Sequence, residues 1–357
     1  MARHLILMDA FKGSISSKEA AEAVASGILA HELTAIIDSS PVADGGEGTL
    51  EVYLALGYEE KTAVTIDLAG RPCEVQYAVK DSDAVIEVAR ICGLPMRQSG
   101  DDPVRVNTRG VGRLMEQLRD QGITSIRLAL GGTGTTDGGL GLLAEVGCRL
   151  QDASGKPILF CTNPLLETQA IHCSTYPVQL EALVDVTAPY HGLDGPAYLF
   201  GPQKGLLPDD IIKLDQQLEQ IGKLLGLEGV KGAGAAGGLG GAVYALGGRI
   251  VPGASMILQH LRVAERMQQA DYVWTGEGRV DRQSQIGKLP GEVTRMARTA
   301  GVPCLILAGI VEENIPQALD CRSIHIDQKI TLDPEQTKTR IQEQTRKWLE
   351  ELSLKQG

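Results

Sequence analysis

The sequence predicts an α/β protein with two domains: a doubly wound parallel-sheet domain built from both chain ends, and an inserted α/β domain with a mixed sheet. Apolar, strand-like segments alternate with helical segments at both ends of the chain. The middle instead alternates with a period of two, as an antiparallel meander does. The 357 residues also exceed what one hydrophobic core usually serves. We place the first domain at residues 1–62 and 262–357 and the inserted domain at 63–261.

The first segments form a βαβα opening. HLILMDA is apolar on both faces, which is typical of a buried parallel strand. SSKEAAEAVASGILAHEL follows as a helix with Ser16 or Ser17 as its N-cap. A strand in TAIIDSSPVA and a helix in EVYLALG complete the unit.

The central segments change this rhythm. TAVTIDLAGRPCEVQYAVKDSDAVIEVA alternates and turns at AGRP and KDSD, so it predicts antiparallel strands. The helix GVGRLMEQLRDQG, the strand SIRLALGG, the helix LGLLAEVG and the strand LEALVDVTAP follow. From about residue 260 the α/β rhythm returns, with strands in DYVW and CLILAGI and a last helix in PEQTKTRIQEQTRKWLEEL. Trp348 and Leu349 in that helix pack either on their own domain or on a partner chain, such as a homodimer partner.

Composition and charge exclude several classes of protein. A net charge of −11 and a pI of about 5.1, without a basic run, argue against nucleic acid binding. The first apolar run is too short for a signal peptide, and no segment approaches membrane-spanning length. Seven scattered cysteines without metal or disulfide spacing suit a reducing compartment. We therefore expect a cytoplasmic protein with free thiols.

The loop LGGTGTTDGGLG lies between a predicted strand and a predicted helix. Glycines allow backbone N–H groups to approach phosphate oxygens, and a helix start favours anions. The loop therefore predicts a phosphate cradle, with a plain strand-to-helix turn capped by an aspartate as the alternative. The candidate residues are Gly131, Gly132, Thr133, Gly134, Thr135 and Asp137.

Acids and isolated lysines follow the other predicted strands. In PVADGGEGT, Asp44 and Glu47 either hold Mg²⁺ or take a proton, or they cap a helix. Acids, lysines and glycine loops together are the groups that phosphoryl transfer uses, so we expect these stretches to line one cleft. The further candidates are Asp9 and Lys12 in DAFKGS, Asp185 in LVDVTAP, Lys204 in FGPQKG, and Glu277, Asp281 and Lys288 in TGEGRVDRQSQIGK.

Other sequence motifs do not fit. GxxxxGK[ST] is absent from the chain, and so are GxSxG and HExxH. GAGAAGG at residues 232–238 matches GxGxxG, but it follows a helical segment, not a strand. The longer stretch GAGAAGGLGGAVYALGG is either a small-residue helix packed very close to a neighbour or a second phosphate loop. A dehydrogenase would need a GxGxxG dinucleotide-binding motif directly after a strand, so a dehydrogenase is the last of the functions considered.

Together these stretches resemble the bacterial-type glycerate kinase family. DAFKGSISSKEAAEAVASGI, PVADGGEGT, NTRGVGRLM, GGTGTTDGGLGLL, DVT with FGPQKG, GAGAAGGLGGA and TGEGRVDRQSQIGKLPGEV occur in the family's order over residues 5 to 310. The resemblance implies ATP- and Mg²⁺-dependent phosphorylation of D-glycerate, with 2-phosphoglycerate as the usual product. It also implies a site in the cleft between two α/β domains.

The candidates take the following roles as hypotheses, since Asp44 and Asp185 each end a predicted strand beside glycines. Asp44 or Asp185 is the base or the Mg²⁺ partner, with Asp9 and Lys12 also catalytic. Phosphate is bound by the glycine loop, Lys204 and Lys288. The acceptor substrate is bound by Glu47, Glu277 and Asp281. Ala10, Thr136 and Ala188 replace the family's usual residues and bear on acceptor choice. A kinase for another hydroxy or sugar acid, or a non-catalytic nucleotide-binding protein, is the alternative.

Overall fold

The structure, a computed structural model, describes residues 1–158, 163–280, 288–312, 320–325 and 333–356. The chain divides into two compact units. Unit 1 comprises Met1–Asp44 and Ala254–Gly357, and unit 2 comprises Gly45–Gly253. Among the described residues, no helix is both long enough and apolar enough to cross a membrane.

The strands are β1 (Arg3–Met8), β2 (Ile36–Ser39), β3 (Glu59–Ile66), β4 (Pro72–Lys80), β5 (Asp83–Glu87), β6 (Ser125–Leu130), β7 (Arg149–Gln151), β8 (Ala170–His172), β9 (Gln179–Val184), β10 (Arg249–Pro252), β11 (Tyr272–Val280), β12 (Cys304–Val311) and β13 (Asp320–Ser323). The helices are α1 (Ser17–His31), α2 (Thr49–Ala55), α3 (Ala89–Cys92), α4 (Arg109–Asp120), α5 (Leu140–Glu145), α6 (Pro196–Phe200), α7 (Pro208–Leu225), α8 (Ala235–Ala245), α9 (Gly253–His260), α10 (Val263–Met267), α11 (Leu289–Ala300) and α12 (Pro334–Gln356).

Unit 1 is built on a parallel five-stranded sheet in the order β13-β12-β11-β1-β2. From β1 the chain moves to β2 in one direction, and from β11 it moves through β12 to β13 in the other. Because such crossovers are right-handed, this reversal requires helices on both faces of the sheet. The predicted doubly wound domain, built from both chain ends, is confirmed.

The core of unit 1 joins the sheet to the first and last helices. Trp274 of β11 and Trp348 of α12 are almost fully buried, and their rings meet edge to face with centroids 5.7 Å apart. A Cβ atom on Gly27 of α1 would lie 2.6 Å from the carbonyl oxygen of Gln342, so a glycine lets the two helices touch. The last helix therefore packs on its own unit.

Unit 2 contains a mixed six-stranded sheet in the order β10-β9-β6-β5-β4-β3, and a small antiparallel pair β7-β8. The pairs β3/β4 and β4/β5 are antiparallel, whereas β5, β6, β9 and β10 run parallel. This confirms the predicted meander and the mixed sheet of the inserted domain.

The unit boundaries differ from the sequence-based boundaries after residues 62 and 261. The structure divides the chain after Asp44 and again after Gly253. The first difference arises because α2, which a βαβα reading gives to the first domain, packs against β4 and β5 of unit 2. The second boundary lies earlier than predicted because α9 begins at Gly253, so all of this helix after its first residue belongs to unit 1.

One disulfide corrects the expectation of free thiols. Cys148 and Cys173 are bonded, with Cα atoms 4.5 Å apart. The β7/β8 register pairs Arg149 with His172, so the next positions outward lie opposite each other. Their separation of 25 residues matches no spacing motif, which is why the sequence did not reveal the pair. Cysteines 73, 92 and 304 are free thiols, and Cys161 lies outside the described residues.

Candidate active site

The sheet of unit 1 has its topological switch point between β1 and β11, where the two winding directions diverge. In open α/β sheets, ligands bind beyond the carboxyl ends of the strands at this point. Asp9 follows β1 directly, and its N–H donates to the carbonyl of Gly276 on β11 at 2.9 Å. The first predicted acid therefore lies at the place where this fold class binds its ligands.

Local hydrogen bonds hold the segment that follows β1. Ser16 caps α1 through a capping box with Glu19, which decides between the two predicted N-caps. The Ser17 hydroxyl donates to the carbonyl of Met8 at 2.7 Å and accepts from the N–H of Val42 at 2.9 Å. One hydroxyl thus fixes the end of β1 to the segment that leads to Asp44.

Asp9 has an unusual electrostatic environment. Its side chain is 5% exposed, and its Oδ1 accepts from the N–H of Ala10 at 2.7 Å. Burial raises the pKa of Asp9 well above its usual range, and the negative charge of Asp44 raises it further. The Ala10 bond and Lys12 oppose this effect, whereas Glu277 adds to it. Such a carboxyl group is a strong candidate for proton transfer.

A cavity of about 280 Å³ opens at this edge of unit 1. Its charged and titratable lining comprises Asp9, Lys12, Glu277, Arg279, Lys288 and His325. Phe11, Ile310 and Ile324 add an apolar side. Four predicted site residues therefore meet at one cavity within unit 1: Asp9, Lys12, Glu277 and Lys288.

The position of Glu277 corrects one detail of the prediction. The sequence places it after a strand end at DYVW, but β11 continues to Val280, and Glu277 pairs with Ala308 of β12. The glycine at 276 is required inside the strand, because a Cβ atom there would lie 1.8 Å from the carbonyl oxygen of Leu307. Pairing with β1 ends at Met8 and Gly276, so Glu277 still lies at the open end of β1.

Four other predicted acids lie outside this cavity lining: Asp137, described below, and three more. Asp44 is 5% exposed and lies five residues beyond the end of β2 at Ser39, so it does not end that strand itself. Glu47 is exposed, and Asp185 follows β9; both belong to unit 2. Asp281 lies outside the described residues.

The predicted glycine loop of unit 2 follows β6 and is tied to its neighbours by the backbone. The N–H of Leu94 donates to the carbonyl of Gly132 at 2.9 Å, and the N–H of Gly134 donates to the carbonyl of Cys92 at 2.8 Å. A Cβ atom on Gly131 would lie 2.8 Å from the Cα atom of Gly46. The glycines of PVADGGEGT and LGGTG thus allow two loops to touch.

Asp137 serves the interior of unit 2. It is 0% exposed, and its oxygens accept from the N–H and hydroxyl of Thr108 and from the N–H groups of Gly139 and Gly141. Burial raises its pKa, and these hydrogen bonds oppose the rise. The Asp137 carboxylate therefore binds backbone N–H groups at the starts of both α4 and α5. This matches the alternative in which the aspartate caps a helix.

Lys204 is also an interior residue. Its side chain is 3% exposed, and its Nζ donates to the carbonyl of Thr135 at 2.5 Å. Burial lowers the pKa of Lys204 to about 8, which Cys92 and Asp137 partly oppose. Lys204, which the sequence predicts to bind phosphate, thus contacts a backbone carbonyl of the glycine loop.

The GAGAAGG segment packs on the same loop. Ala236, Gly237 and Gly238 have φ values of 53°, 72° and 106°, a left-handed run at the start of α8. A Cβ atom on Gly237 would lie 2.1 Å from the carbonyl oxygen of Thr135. The close-packing alternative is confirmed here, and the phosphate role of this segment stays a prediction.

Four well-placed residues escaped the sequence reading. Glu87 is 3% exposed and accepts from the N–H of Leu50 in the first turn of α2 at 2.7 Å. His325 lines the cavity of unit 1, and Arg340 donates to its Nδ1 at 2.6 Å. Asn163 and Tyr190 bind carbonyls of the glycine loop. Of these four residues, only Glu87 had a signal in the sequence, because it is an acid at the end of the apolar run DAVIE.

Fold and site together define an α/β enzyme with acids and lysines at the carboxyl ends of its parallel strands. The chain belongs to the glycerate kinase family: the model of the "Glycerate kinase family" matches residues 4–355. This confirms the family that the motifs indicated.

Curated relatives and a solved structure agree with this membership. The chain is 36% identical to a glycerate kinase of Halalkalibacterium halodurans, over 85% of this chain and 84% of the relative. It is 34% identical to the glycerate 2-kinase of Escherichia coli K12, over 87% of this chain and 86% of the relative. A Salmonella typhimurium LT2 protein, solved as a candidate glycerate kinase 2, superposes with a TM-score of 0.83 at 29% identity and covers 99% of both chains.

Proposed function

We propose that this chain transfers the terminal phosphoryl group of ATP to D-glycerate and forms 2-phosphoglycerate. Membership of the glycerate kinase family over residues 4–355 is the observation that supports this proposal most strongly. The similarity to a protein described as glycerate 2-kinase supports the 2-position as the acceptor. A cytoplasmic location and action without nucleic acid or membrane remain part of the proposal.

The cavity of unit 1 supports a role for Asp9 as the proton acceptor. A carboxyl group with a raised pKa binds the proton of a substrate hydroxyl more readily than an ordinary carboxylate does. Burial, which is the largest cause of the raised pKa of Asp9, acts in this way whether or not a cation neutralises Asp44. In this proposal Asp9 takes the proton of the glycerate hydroxyl as the oxygen attacks phosphorus, and Glu277 contacts an acceptor hydroxyl.

The acids of unit 1 also fit a magnesium ion. Mg²⁺ usually takes one or two carboxylates and completes its shell with phosphate oxygens and water. The negative charges of Asp44 and Glu277 both act on Asp9 at a largely buried edge, and a divalent cation relieves that repulsion. No cluster of three or more metal-binding side chains occurs in the described ranges. Asp44 is the proposed protein ligand, and Asp185 remains the second ligand predicted from the sequence.

The cations and the glycine loop complete the proposal. Lys12 and Lys288 line the cavity and neutralise charge on the transferred phosphoryl group or on the glycerate carboxylate. N–H groups of the loop at Gly131, Gly132, Thr133 and Thr135 bind an anionic group of a substrate, since the N–H of Gly134 is already bonded to the carbonyl of Cys92. Glu47 and Asp281 keep their predicted part in acceptor binding, and the site between the domains remains a prediction from the resemblance.

The experiment is a coupled ADP-release assay with Mg·ATP. D-glycerate is compared with L-glycerate, glycolate, tartronate and a sugar acid at matched concentrations. The proposal expects turnover with D-glycerate to exceed that with every other acid. Preferred turnover of another acid would support the hydroxy-acid alternative and direct attention to Thr136 and Ala188. Bound ATP without turnover on any acid would instead support the non-catalytic alternative.

A further inference from the structure

Two hydroxyl groups in the lining of the unit 1 cavity are bonded to each other. The side-chain oxygens of Ser14 and Thr337 lie 2.8 Å apart, and both residues line the cavity. Ser14 belongs to the segment between β1 and α1, whereas Thr337 lies in the first turn of α12. Neither side chain is charged, so the pair acts on a ligand through hydrogen bonding.

The direction of this hydrogen bond follows from the second partner of Thr337. The Thr337 hydroxyl donates to the carbonyl of Asp333 at 2.9 Å. A carbonyl only accepts, and a threonine hydroxyl has a single hydrogen, so that hydrogen is already committed. Ser14 therefore donates its own hydrogen to the Thr337 oxygen. The lone pairs that remain on the Ser14 oxygen make it a hydrogen-bond acceptor.

Ser14 is the member of the pair that a ligand reaches. Thr337 is 1% exposed, whereas Ser14 is half-buried. Among the residues that the structure describes, no other group bonds to the Ser14 hydroxyl. Its lone pairs lie away from Thr337, because its hydrogen points towards Thr337. The cavity thus contains a neutral oxygen that accepts a hydrogen bond and has no hydrogen left to donate.

The backbone fixes Ser14 relative to the acid at the end of β1. The N–H of Phe11 donates to the carbonyl of Ile15 at 2.9 Å, and the N–H of Ser14 donates to the carbonyl of Phe11 at 2.8 Å. Gly13 has a φ of 80°, a value that glycine adopts readily in such a turn. Asp9 lies just before this turn and lines the same cavity. A carboxyl group and a neutral acceptor oxygen are therefore held in one short loop.

A neutral acceptor discriminates between the groups of a ligand. A carboxylate or an ionised phosphate has no hydrogen to donate to Ser14, whereas a hydroxyl group has one. D-glycerate carries a second hydroxyl group besides the one that receives phosphate. When the site excludes water, this second hydroxyl needs an acceptor in the protein, because an unpaired buried donor costs binding free energy.

Glu277 is another acceptor in the cavity, but it lies on the side of Asp9. The two carboxyl groups act on each other electrostatically, and both lie at the open end of β1. They therefore suit the hydroxyl group that loses its proton and attacks phosphorus. Ser14 remains as the acceptor for the other hydroxyl group.

We propose that Ser14 is a specificity-determining residue of the acceptor site: its oxygen, held as an acceptor by Thr337, binds the hydroxyl group of D-glycerate that is not phosphorylated. This inference rests on the proposed function, which supplies the acceptor acid. With 2-phosphoglycerate as the product, the hydroxyl at Ser14 is the one on the terminal carbon. D-lactate is the same acid without that hydroxyl, so the site should prefer D-glycerate to D-lactate.

The test compares these two acids in wild type and in Ser14→Ala. Binding of each acid is measured by calorimetry on the full-length protein, with thermal unfolding recorded alongside, and turnover is followed by ADP release with Mg·ATP. Ser26→Ala is the matched control. Ser26 lies exposed on α1 in the same unit, and its hydroxyl also has one hydrogen bond, which it donates to the carbonyl of Glu22 at 2.8 Å.

The expected result is a loss of discrimination. Wild type binds D-glycerate about tenfold more tightly than D-lactate, which is the effect of one hydrogen bond. Ser14→Ala weakens the binding of D-glycerate by about tenfold and leaves D-lactate within about twofold of wild type. Ser26→Ala keeps the wild-type ratio. A wild-type ratio in Ser14→Ala overturns the proposal, and so does an equal loss for both acids.

Thr337→Val tests the part of the proposal that concerns the direction of the hydrogen bond. Valine keeps the shape of threonine but removes the oxygen that takes the Ser14 hydrogen. The Ser14 hydroxyl then samples about three staggered orientations, so the preference for D-glycerate falls by about threefold. A wild-type preference in Thr337→Val would show that Thr337 does not hold Ser14 as an acceptor.

Separate measurement of binding and turnover distinguishes this inference from the proposed function. If wild type prefers D-glycerate in binding but transfers no phosphate to it, the proposed function fails, and the loss of preference in Ser14→Ala still supports the inference. If wild type phosphorylates D-glycerate and Ser14→Ala keeps the preference, the inference fails and the proposed function stands. If wild type does not distinguish the two acids, the inference is overturned.

Discussion

Replacement of Lys204 by methionine tests whether an ammonium group is really buried behind the glycine loop. Burial lowers the pKa of Lys204 from 10.5 to about 8, and the side chain is 3% exposed. A lowered pKa means that the folded state binds the proton less tightly than the unfolded state. The penalty is therefore fully present below pH 8 and is relieved as the pH rises from 8 towards 10.5.

The magnitude follows from linkage. At 1.36 kcal/mol for each tenfold change in proton affinity, the penalty at pH 7 is about 3 kcal/mol, of which roughly 2–3 kcal/mol is relieved by pH 10. The Lys204→Met variant escapes this penalty but leaves the Thr135 carbonyl unpaired, at a cost of about 1–3 kcal/mol. At pH 7 the variant is therefore as stable as wild type or more stable by up to about 2 kcal/mol. At pH 10, where about 1 kcal/mol of the penalty remains, the variant is the less stable protein by up to about 2 kcal/mol.

The assay is urea denaturation followed by circular dichroism at several values between pH 7 and pH 10. Other titrating groups are common to both proteins, so the difference between the two stability curves isolates Lys204. Lys213→Met, at an exposed position of α7 in the same unit, is the control and should run parallel to wild type. Parallel curves for wild type and Lys204→Met would refute the reasoning, because they would mean that Lys204 does not resist protonation.

Three further substitutions test other parts of the structure. Trp348→Ala should lower the free energy of unfolding of unit 1 by about 3–5 kcal/mol in denaturant titration, because it empties a nearly fully buried site against Trp274; a loss below about 1 kcal/mol would contradict this packing. Gly131→Ala must push its loop away from the Cα atom of Gly46, so turnover should fall at least tenfold, about 1.4 kcal/mol of barrier, while far-UV circular dichroism stays unchanged; full activity would show that the loop contact is unimportant. Cys173→Ala opens a bridge that spans 25 residues and should cost about 2–4 kcal/mol of stability. Equal denaturation midpoints with and without a thiol reductant, with the bridge followed by mass spectrometry, would argue against a disulfide.

The architecture of the sheet was largely predictable because local signals agreed with the global fold. The apolar run of β1, the capping box of Ser16 and Glu19, and the helix that follows specify a parallel βα unit. The alternation across residues 62–87 likewise specified the antiparallel edge of unit 2. Acids placed just after apolar strands predicted Asp9 at the switch point, since parallel strands end at a common edge.

The features that were missed depend on tertiary contacts. The glycine at 276 suggested a loop. It lies within a strand instead, and a glycine is needed there because the backbone of Leu307 comes too close for a side chain. The burial of Lys204 comes from elements distant in sequence, so an isolated lysine in a proline-glycine turn gave no sign of it. The Cys148–Cys173 bridge follows from the register of β7 and β8. Strands of only three residues are too short for the sequence to predict that register.

The most direct test of the account compares wild type with Asp9→Asn in Mg·ATP and D-glycerate, with products followed by ³¹P NMR. Asparagine keeps the shape of Asp9 but cannot take a proton. We predict that wild type forms 2-phosphoglycerate and that Asp9→Asn slows this by at least about a hundredfold. ATP binding and the circular dichroism spectrum should stay unchanged. No phosphoester from wild type, or near-normal turnover by Asp9→Asn, would contradict the claim that the acids of unit 1 perform phosphoryl transfer to glycerate.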